Sequence, residues 1–301
     1  MFIKDGLNVL IPPKINRNTM YYLISEIVDE KLNVKDDPVN FIFHDLDFIE
    51  PVGVTILSNL LEWLKCKDIE FRLSYSSCLN RIGNKDNPIK YLDDSGFFKK
   101  YCGSSFDPTS EVRETTIELE HIAFTDVNSW LDDKFIPWLS NAINLEQEYL
   151  VDVSECLLEI FNNIKEHAKA QIGCVFAQHF PKNNEVIISV SDFGVGIPNT
   201  VRTVCPGIDD DEALLKSVQK GFTSKKDKSG GAGLDILLQN VLENNQGEVY
   251  IHLNCGILSC SSNKSNVAFI AKGFYPGTLF EIVFKTNLFS NSKGEEEEFV
   301  W

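Results

Sequence analysis

A strand-like run in the second half of the chain limits the available folds more than any other feature. Residues 185 to 192, "EVIISVSD", are mostly apolar and β-branched, and the glycine-rich stretch "FGVGIP" follows directly. Such a run is typical of a buried strand. Gly194 and Gly196 let the backbone turn sharply after the strand and let another molecule approach closely. The pattern predicts a core strand that ends at Asp192 and leaves its carboxylate beside the turn.

Length and composition favour two globular domains and a cytoplasmic protein. The chain has 301 residues, of which 43% are hydrophobic and 24% are charged. No apolar run approaches the ~20 residues of a membrane span, and the N-terminal stretch is too interrupted for a signal peptide. The eight cysteines include no CxxC pair, which argues against a zinc site or a disulfide framework. We therefore expect no membrane partner.

The net charge argues against nucleic acid as the main partner. Lys and Arg total 28 against 44 Asp and Glu, which gives a formal charge of −16 at pH 7. A chain this acidic repels a polyphosphate backbone. A local basic patch is still compatible with that balance.

The first domain, residues 1 to 102, alternates short apolar runs with stretches of helical periodicity. Strands are predicted at "LNVLIP", "VNFIFHDL" and "IEFRLSY", and helices at "INRNTMYYLISEIVDEKL", "VGVTILSNLLEWLKC" and "YLDDSGFFKKY". Repeated βαβ units predict a sheet covered by helices. Residues 103 to 127 are predicted to form a polar linker and a connecting strand.

The second domain, residues 128 to 290, is predicted to be an α/β sandwich with a mixed sheet and helices on one face. Helices are expected at "VNSWLDDKFIPWLSNAINL", "EQEYLVDVSECLLEIFNNIKEHAKA" and "AGLDILLQNVLENN". Strands are expected at "IGCVFAQHF", "EVIISVSD", "GEVYIHLN", "GILSC", "NVAFIAKG" and "GTLFEIVF". Residues 291 to 301 are expected to form an exposed acidic tail.

A polar stripe runs along the second of these helices. Glu159, Asn163 and Glu166 recur at i, i+4 and i+7 on a helix whose apolar residues mark it as packed in the core. Magnesium is often held by one or two protein oxygens together with nucleotide phosphates, so the amide oxygen of Asn163 is an adequate ligand. Glu159 is spaced to orient or deprotonate a water. A structural polar pair would give the same spacing.

A second glycine cluster, "SGGAGLDIL", opens the last predicted helix. Gly230, Gly231 and Gly233 leave backbone N–H groups open at a helix N-terminus, which suits phosphate oxygens. The preceding "GFTSKKDKSGG" is cationic and rich in hydroxyls, as expected of a mobile lid over phosphates. Taken separately, the glycine cluster also fits a flexible loop and a helix cap, and the cationic stretch also fits a solvated loop.

In sequence order, "ECLLEIFNNIKEHA", "DFGVGIP", "GFTSK", "GGAGLDIL" and "GTLFEIVF" resemble the motifs of the Bergerat-fold ATPases. That group contains gyrase, a heat-shock chaperone, histidine kinases and MutL. The resemblance covers about residues 128 to 286 and implies that the cofactors are ATP and Mg²⁺. "NNIKEHA" is most similar to the histidine kinases and the anti-sigma-factor kinases. No dimerising hairpin with a phosphoacceptor histidine accompanies it, so autophosphorylation on histidine is not expected.

The resemblance implies a role for each matching position. Glu159 is implied as the general base, and Asn163 as the magnesium ligand. Asp192 is implied to accept a hydrogen bond from the exocyclic amine of adenine, whereas guanine would present a repelling oxygen there. The other implied nucleotide contacts are Lys165, His167, Gly194, Gly196, Ile197, Thr223, Ser224, Lys225, Gly231, Ala232, Gly233, Leu234 and Thr278.

The first domain resembles a STAS domain, the fold of the anti-sigma-factor antagonists. The resemblance rests on "FIFHDLDFIEPVGVTILSNLLEWLKCKDIEFRLSY", followed by "YLDDSGFFKKY". The antagonists carry a phosphorylatable serine at the start of the helix after the second core strand. This chain has Glu50, Pro51 and Val52 there, so a docking domain without that phosphorylation switch is implied.

Three functions stay open on this sequence. The first, which Glu159 favours, is a slow ATPase whose lid closes around ATP and changes the surface offered to a partner protein. The second is a serine/threonine kinase of the anti-sigma-factor type that acts on a separate protein. The third is an ATP-sensing module without turnover. Many members of the family dimerise when the lid closes, so a homodimer is one state that the resemblance allows.

Overall fold

The structure is a computed structural model, and it describes residues 6–29, 31, 33–75, 87–167, 172–192, 207–217 and 233–291. Within these ranges the chain is an α/β protein built in layers, with a small sheet, a pair of helices, a large sheet and a second helical layer. None of the helices in these ranges is long and apolar enough to cross a membrane.

The N-terminal region forms the small sheet and the first helical layer. Its elements are β1 (Leu7–Leu10), β2 (Lys14–Ile15), α1 (Met20–Ile27), β3 (Val39–Ile42), β4 (Phe48–Ile49), α2 (Pro51–Cys66), β5 (Phe71–Ser74), α3 (Pro88–Asp94) and α4 (Phe97–Cys102). β1, β3 and β5 form a parallel sheet in that order, and β2 pairs with β4. The predicted βαβ pattern is confirmed, because α1 and α2 each connect successive strands of the parallel sheet.

The prediction of a single helix at "YLDDSGFFKKY" is wrong. α3 ends at Asp94 and α4 begins at Phe97, with Gly96 between them at a φ of 84°. This left-handed conformation is easily reached by glycine and interrupts helical hydrogen bonding. The chain therefore changes direction at Gly96 and packs the rings of Phe97 and Phe98 of α4 into the core.

The C-terminal region forms the large sheet and the second helical layer. Its elements are β6 (Glu120–Ala123), α5 (Val127–Trp130), α6 (Ile136–Ile143), α7 (Val151–His167), β7 (Ile172–Phe180), β8 (Glu185–Asp192), α8 (Asp210–Ser217), α9 (Gly233–Leu238), β9 (Glu248–Ser261) and β10 (Val267–Lys285). A π-helical segment, Leu131–Phe135, joins α5 to α6, and a second one, Gln239–Asn244, continues α9. The described residues also include two 3-10 turns, Gln147–Leu150 and Thr286–Asn291.

The large sheet has the order β6-β7-β8-β10-β9, and all its described pairings are antiparallel. The expected mixed sheet is therefore wrong in its strand directions. Short hairpins join β7 to β8 and β9 to β10, and strands joined in this way are antiparallel, whereas parallel neighbours need long crossovers. The four strands predicted after residue 247 are two long strands, and β10 bends through register shifts on either side of Tyr275.

Helices cover both faces of the large sheet, although the sequence led us to expect them on one face only. On one face, Val190 of β8 and Phe280 of β10 pack in a core with α5, α6, α7 and α9. On the other face, Phe176 and Leu279 share a core with α1 and α2 of the N-terminal region. A continuous apolar sequence indicates that both faces of a strand are buried, but it does not indicate which elements cover each face.

Candidate functional site

Two of the predicted site residues lie opposite each other on neighbouring strands. β8 ends at Asp192, and the register pairs Asp192 with Thr278 of β10. Both side chains are buried, with exposures of 1% and 3%. Side chains alternate along a strand, so Asp192 shares a face with Val190, and Thr278 shares that face with Phe280. The pair therefore lies on the face of the large sheet that α7 covers.

α7 carries the predicted Glu159 and Asn163 at the margin of its apolar face. Asn163 Nδ2 donates to Glu159 O at 2.9 Å and to Glu159 Oε1 at 3.0 Å. Both residues are half-buried. The amide oxygen is the atom of Asn163 that can coordinate a cation, because the amide nitrogen is a donor only. The side of the helix packed into the core consists of Val153, Cys156, Leu157, Ile160, Phe161 and Ile164.

The turn of α7 that carries Asn163 lies at the same end of the sheet as Asp192. A Cβ added to Gly173 of β7 would lie 2.8 Å from Phe161 Cε1 and 3.7 Å from Ile164 Cδ1. Gly173 directly precedes Cys174, whose register partner on β8 is Ser191, the residue before Asp192. The glycine therefore allows the C-terminal half of α7 to approach the strand ends closely.

The start of α9 lies toward the same end of the site. α9 and its π-helical continuation run antiparallel to α7, because residues later in α7 contact residues earlier in α9 and its continuation. The contacts are Asp152 with Asn244 at 3.3 Å, Glu155 with Asn240 at 3.4 Å, and Cys156 with Leu237 at 3.9 Å. Continuing this order brings the first residue of α9, Gly233, toward Glu159 and Asn163.

Part of the predicted site falls outside the residues that the structure describes. The residues concerned are Gly194, Gly196, Ile197, Thr223, Ser224, Lys225, Gly231 and Ala232. Lys165 and His167 lie on the last turn of α7, but their side chains are not among the described ones. Leu234, in the first turn of α9, packs against the core under the sheet. The structure therefore brings together Glu159, Asn163, Asp192, Thr278 and the start of α9.

The sequence analysis missed the residues that hold this strand end from the opposite face. Ser191 contacts Asn59 of α2 and Tyr275 of β10, and all three are buried. Burial raises the pKa of the Tyr275 hydroxyl, so it stays protonated and can donate a hydrogen bond. The contact between Asn59 and Ser191 spans 132 residues of sequence, so no local pattern could have indicated it.

A magnesium ion is chemically compatible with this site. Among the described residues, no group of three or more His, Cys, Asp or Glu is arranged to hold a metal. Magnesium does not need such a group, since one protein oxygen together with phosphate oxygens and waters can hold it. The Asn163 amide oxygen is the protein ligand that fits this requirement.

Comparisons with known proteins add no relative to this description. No protein-family model matches the chain, and no curated protein matches its sequence. The function therefore has to be inferred from the geometry of the site.

Proposed function

We propose that the protein binds Mg·ATP at the end of the large sheet and hydrolyses it slowly. The observation that carries this proposal is the buried pair of Asp192 and Thr278, at the sheet end over which α7 brings Glu159 and Asn163. A carboxylate only accepts hydrogen bonds, so Asp192 would favour a base with an exocyclic amine over one with an oxygen at that position.

The order of the elements supports a Bergerat-type domain. The helix with Glu159 and Asn163 comes first, and the strand that ends in Asp192 follows. α9 comes next, and the hairpin that contains Thr278 comes last. All of these elements belong to one sheet and to the helical layer on one of its faces. Their order along the chain is the order that the resemblance implies.

Each described group has a distinct part in the proposed reaction. Asp192 and Thr278 would bind adenine, and the N–H groups of the first turn of α9 would face the phosphates. Asn163 Oδ1 would hold magnesium, which neutralises phosphate charge when bound. The Asn163 amide also orients the Glu159 carboxylate through Oε1.

Glu159 would act as the general base. Its carboxylate would take a proton from a water molecule whose oxygen attacks the terminal phosphorus. The bond from that phosphorus to the bridging oxygen then breaks, and ADP and phosphate leave. The change of bound nucleotide would alter the surface offered to a partner protein, which is the use that we propose for slow turnover.

The test uses purified protein, Mg²⁺ and ATP labelled on the terminal phosphate. Label released to solution and label retained on protein are both followed over time. Glu159→Gln keeps the shape of the side chain and removes the base, so release should fall at least about 100-fold while ATP affinity changes little. Glu155→Gln is the matched control, since it makes the same change one turn earlier, where Glu155 contacts Asn240.

Release that is equal in Glu159→Gln and in the wild type would contradict the proposed base. Label that stays on an added protein would instead indicate a kinase, in which a protein hydroxyl replaces water as the attacking group. Binding of ATP with neither release nor retention would indicate a sensor without turnover.

A further inference from the structure

Helix α2 of the N-terminal region reaches the back of the proposed adenine site. Asn59 Nδ2 donates a hydrogen bond of 2.6 Å to Ser191 Oγ. Asn59 is 7% exposed and Ser191 is fully buried, so water does not compete for this contact. Ser191 is the residue directly before Asp192. The N-terminal region thus contacts the strand end that carries the proposed adenine ligand.

The Ser191 hydroxyl is the centre of a small network that uses all of its hydrogen-bonding capacity. It accepts from Asn59 Nδ2 and donates to Thr278 O at 2.9 Å. Because its single proton is then used, the contact of 2.5 Å with the Tyr275 hydroxyl has Tyr275 as the donor. A hydroxyl has one donor and two acceptor positions, so these three contacts satisfy it completely. Loss of Asn59 would leave one acceptor position buried without its donor.

The network holds the backbone of both residues that face the proposed base. Ser191 lies on the opposite face of β8 from Asp192, because consecutive side chains alternate. The carbonyl that accepts from Ser191 belongs to Thr278, the register partner of Asp192. A displacement of Ser191 would therefore move Asp192 through the peptide bond and Thr278 through the hydrogen bond.

We propose that Asn59 is a positioning residue for the adenine site. It acts through Ser191 to fix Asp192 and Thr278, so the N-terminal domain contributes to the base selectivity of the C-terminal domain. This inference rests on the proposed function, and it adds a residue that none of the sequence motifs contains.

The test compares the binding of Mg·ATP and Mg·ITP to the full-length chain by titration calorimetry. ITP carries an oxygen where ATP carries the exocyclic amine, so it cannot donate there to Asp192. Asn59→Leu keeps the side-chain volume and removes the amide. We expect ATP affinity to fall about tenfold and ITP affinity to fall less than about twofold, so the ATP/ITP ratio decreases.

Ser58→Ala is the matched control. Ser58 precedes Asn59 on α2, is fully buried, and makes hydrogen bonds to Tyr101 OH at 2.7 Å and to His121 Nε2 at 2.9 Å. Ser58→Ala therefore removes buried hydrogen bonds of the same helix that do not involve Ser191. A general loosening of α2 would change the binding of both nucleotides alike in both variants. If Asn59→Leu does not fold, Ser191→Ala removes the same link from the sheet side and should lower the ratio in the same way.

The outcomes separate this inference from the proposed function. If the wild type binds ATP but the ATP/ITP affinity ratio is unchanged in Asn59→Leu or in its replacement Ser191→Ala, the positioning role alone is overturned. Wild-type protein that does not bind ATP would overturn the proposed function and this inference with it.

Discussion

The two faces of the large sheet are buried by different means. The face toward α5, α6, α7 and α9 is mostly an apolar core, with the buried Asp192 and Thr278 at the proposed site. The face toward the N-terminal region also buries polar side chains, and three of them have a partner on that region. The pairs are Ser191 with Asn59, His252 with Tyr21, and Glu281 with Arg17.

This difference indicates a division of roles between the faces. Apolar contacts are not directional, so the first face stabilises the fold without fixing the orientation of what covers it. A buried hydrogen bond requires its partner at one place, so the second face fixes how the N-terminal region sits on the sheet. We therefore expect truncations of apolar side chains on the first face to affect stability most, and substitutions on the second face to affect pH response and, through Ser191, ligand binding.

The largest expected effect is the loss of stability on truncation of the apolar face. Phe284 is fully buried, contacts Phe289, and lies near the C-terminal end of β10, away from Thr278. Phe284→Ala should lower the free energy of unfolding by about 3–5 kcal/mol in urea titrations, because it leaves a cavity. Phe48→Ala is the control, since Phe48 is 49% exposed, and it should cost less than about 1 kcal/mol. Equal losses in the two variants would contradict the assigned core.

A smaller effect is expected from His252 on the polar face. Burial, together with the charge of Arg17, lowers the pKa of His252 to about 3, while the Tyr21 hydroxyl contacts Nδ1 at 2.9 Å. In the unfolded chain, His252 takes up a proton near pH 6.5. The contribution of the buried neutral His252 to folding stability is therefore complete above that pH and is lost as pH falls toward 3. Between these two pH values, the free energy of unfolding should fall by up to about 1.4 kcal/mol for each pH unit.

The comparison for this prediction is His252→Asn, which keeps a polar atom near the position of Nδ1. Its unfolding free energy, measured between pH 7 and pH 4.5, should fall less steeply than that of the wild type. His121, whose pKa burial lowers to about 4, should preserve part of the slope in both proteins. Identical slopes would mean that His252 is not buried against Tyr21.

The sequence predicted the features that depend on local spacing. The i, i+4 separation of Glu159 and Asn163 places them on one side of α7, where they form a hydrogen bond. The apolar run before Asp192 predicted a buried strand that ends there, and β8 does so. The resemblance implied Thr278 as a nucleotide contact, and the register pairs it with Asp192, although the ligand role of each stays a prediction.

The sequence could not predict features that depend on contacts distant along the chain. The pairing of Asn59 with Ser191 is set by how α2 packs on the sheet, and neither residue lies in a pattern that indicates it. The four expected strands are two long ones, and the register of β10 with β9 shifts on either side of Tyr275. Pro276 and Gly277, the latter at a φ of 108°, are typical of a strand end, whereas β10 continues because its pairing with β9 resumes at Thr278.

The most direct test of the account is titration calorimetry of Mg·ATP against the wild type and Asp192→Asn. Asp132→Asn, at an exposed position, is the matched control. Replacing the carboxylate with an amide removes the charged acceptor, so we predict that ATP affinity falls about 10-fold to 100-fold in Asp192→Asn and stays unchanged in Asp132→Asn. Equal ATP affinity in the wild type and Asp192→Asn would contradict the proposed adenine site.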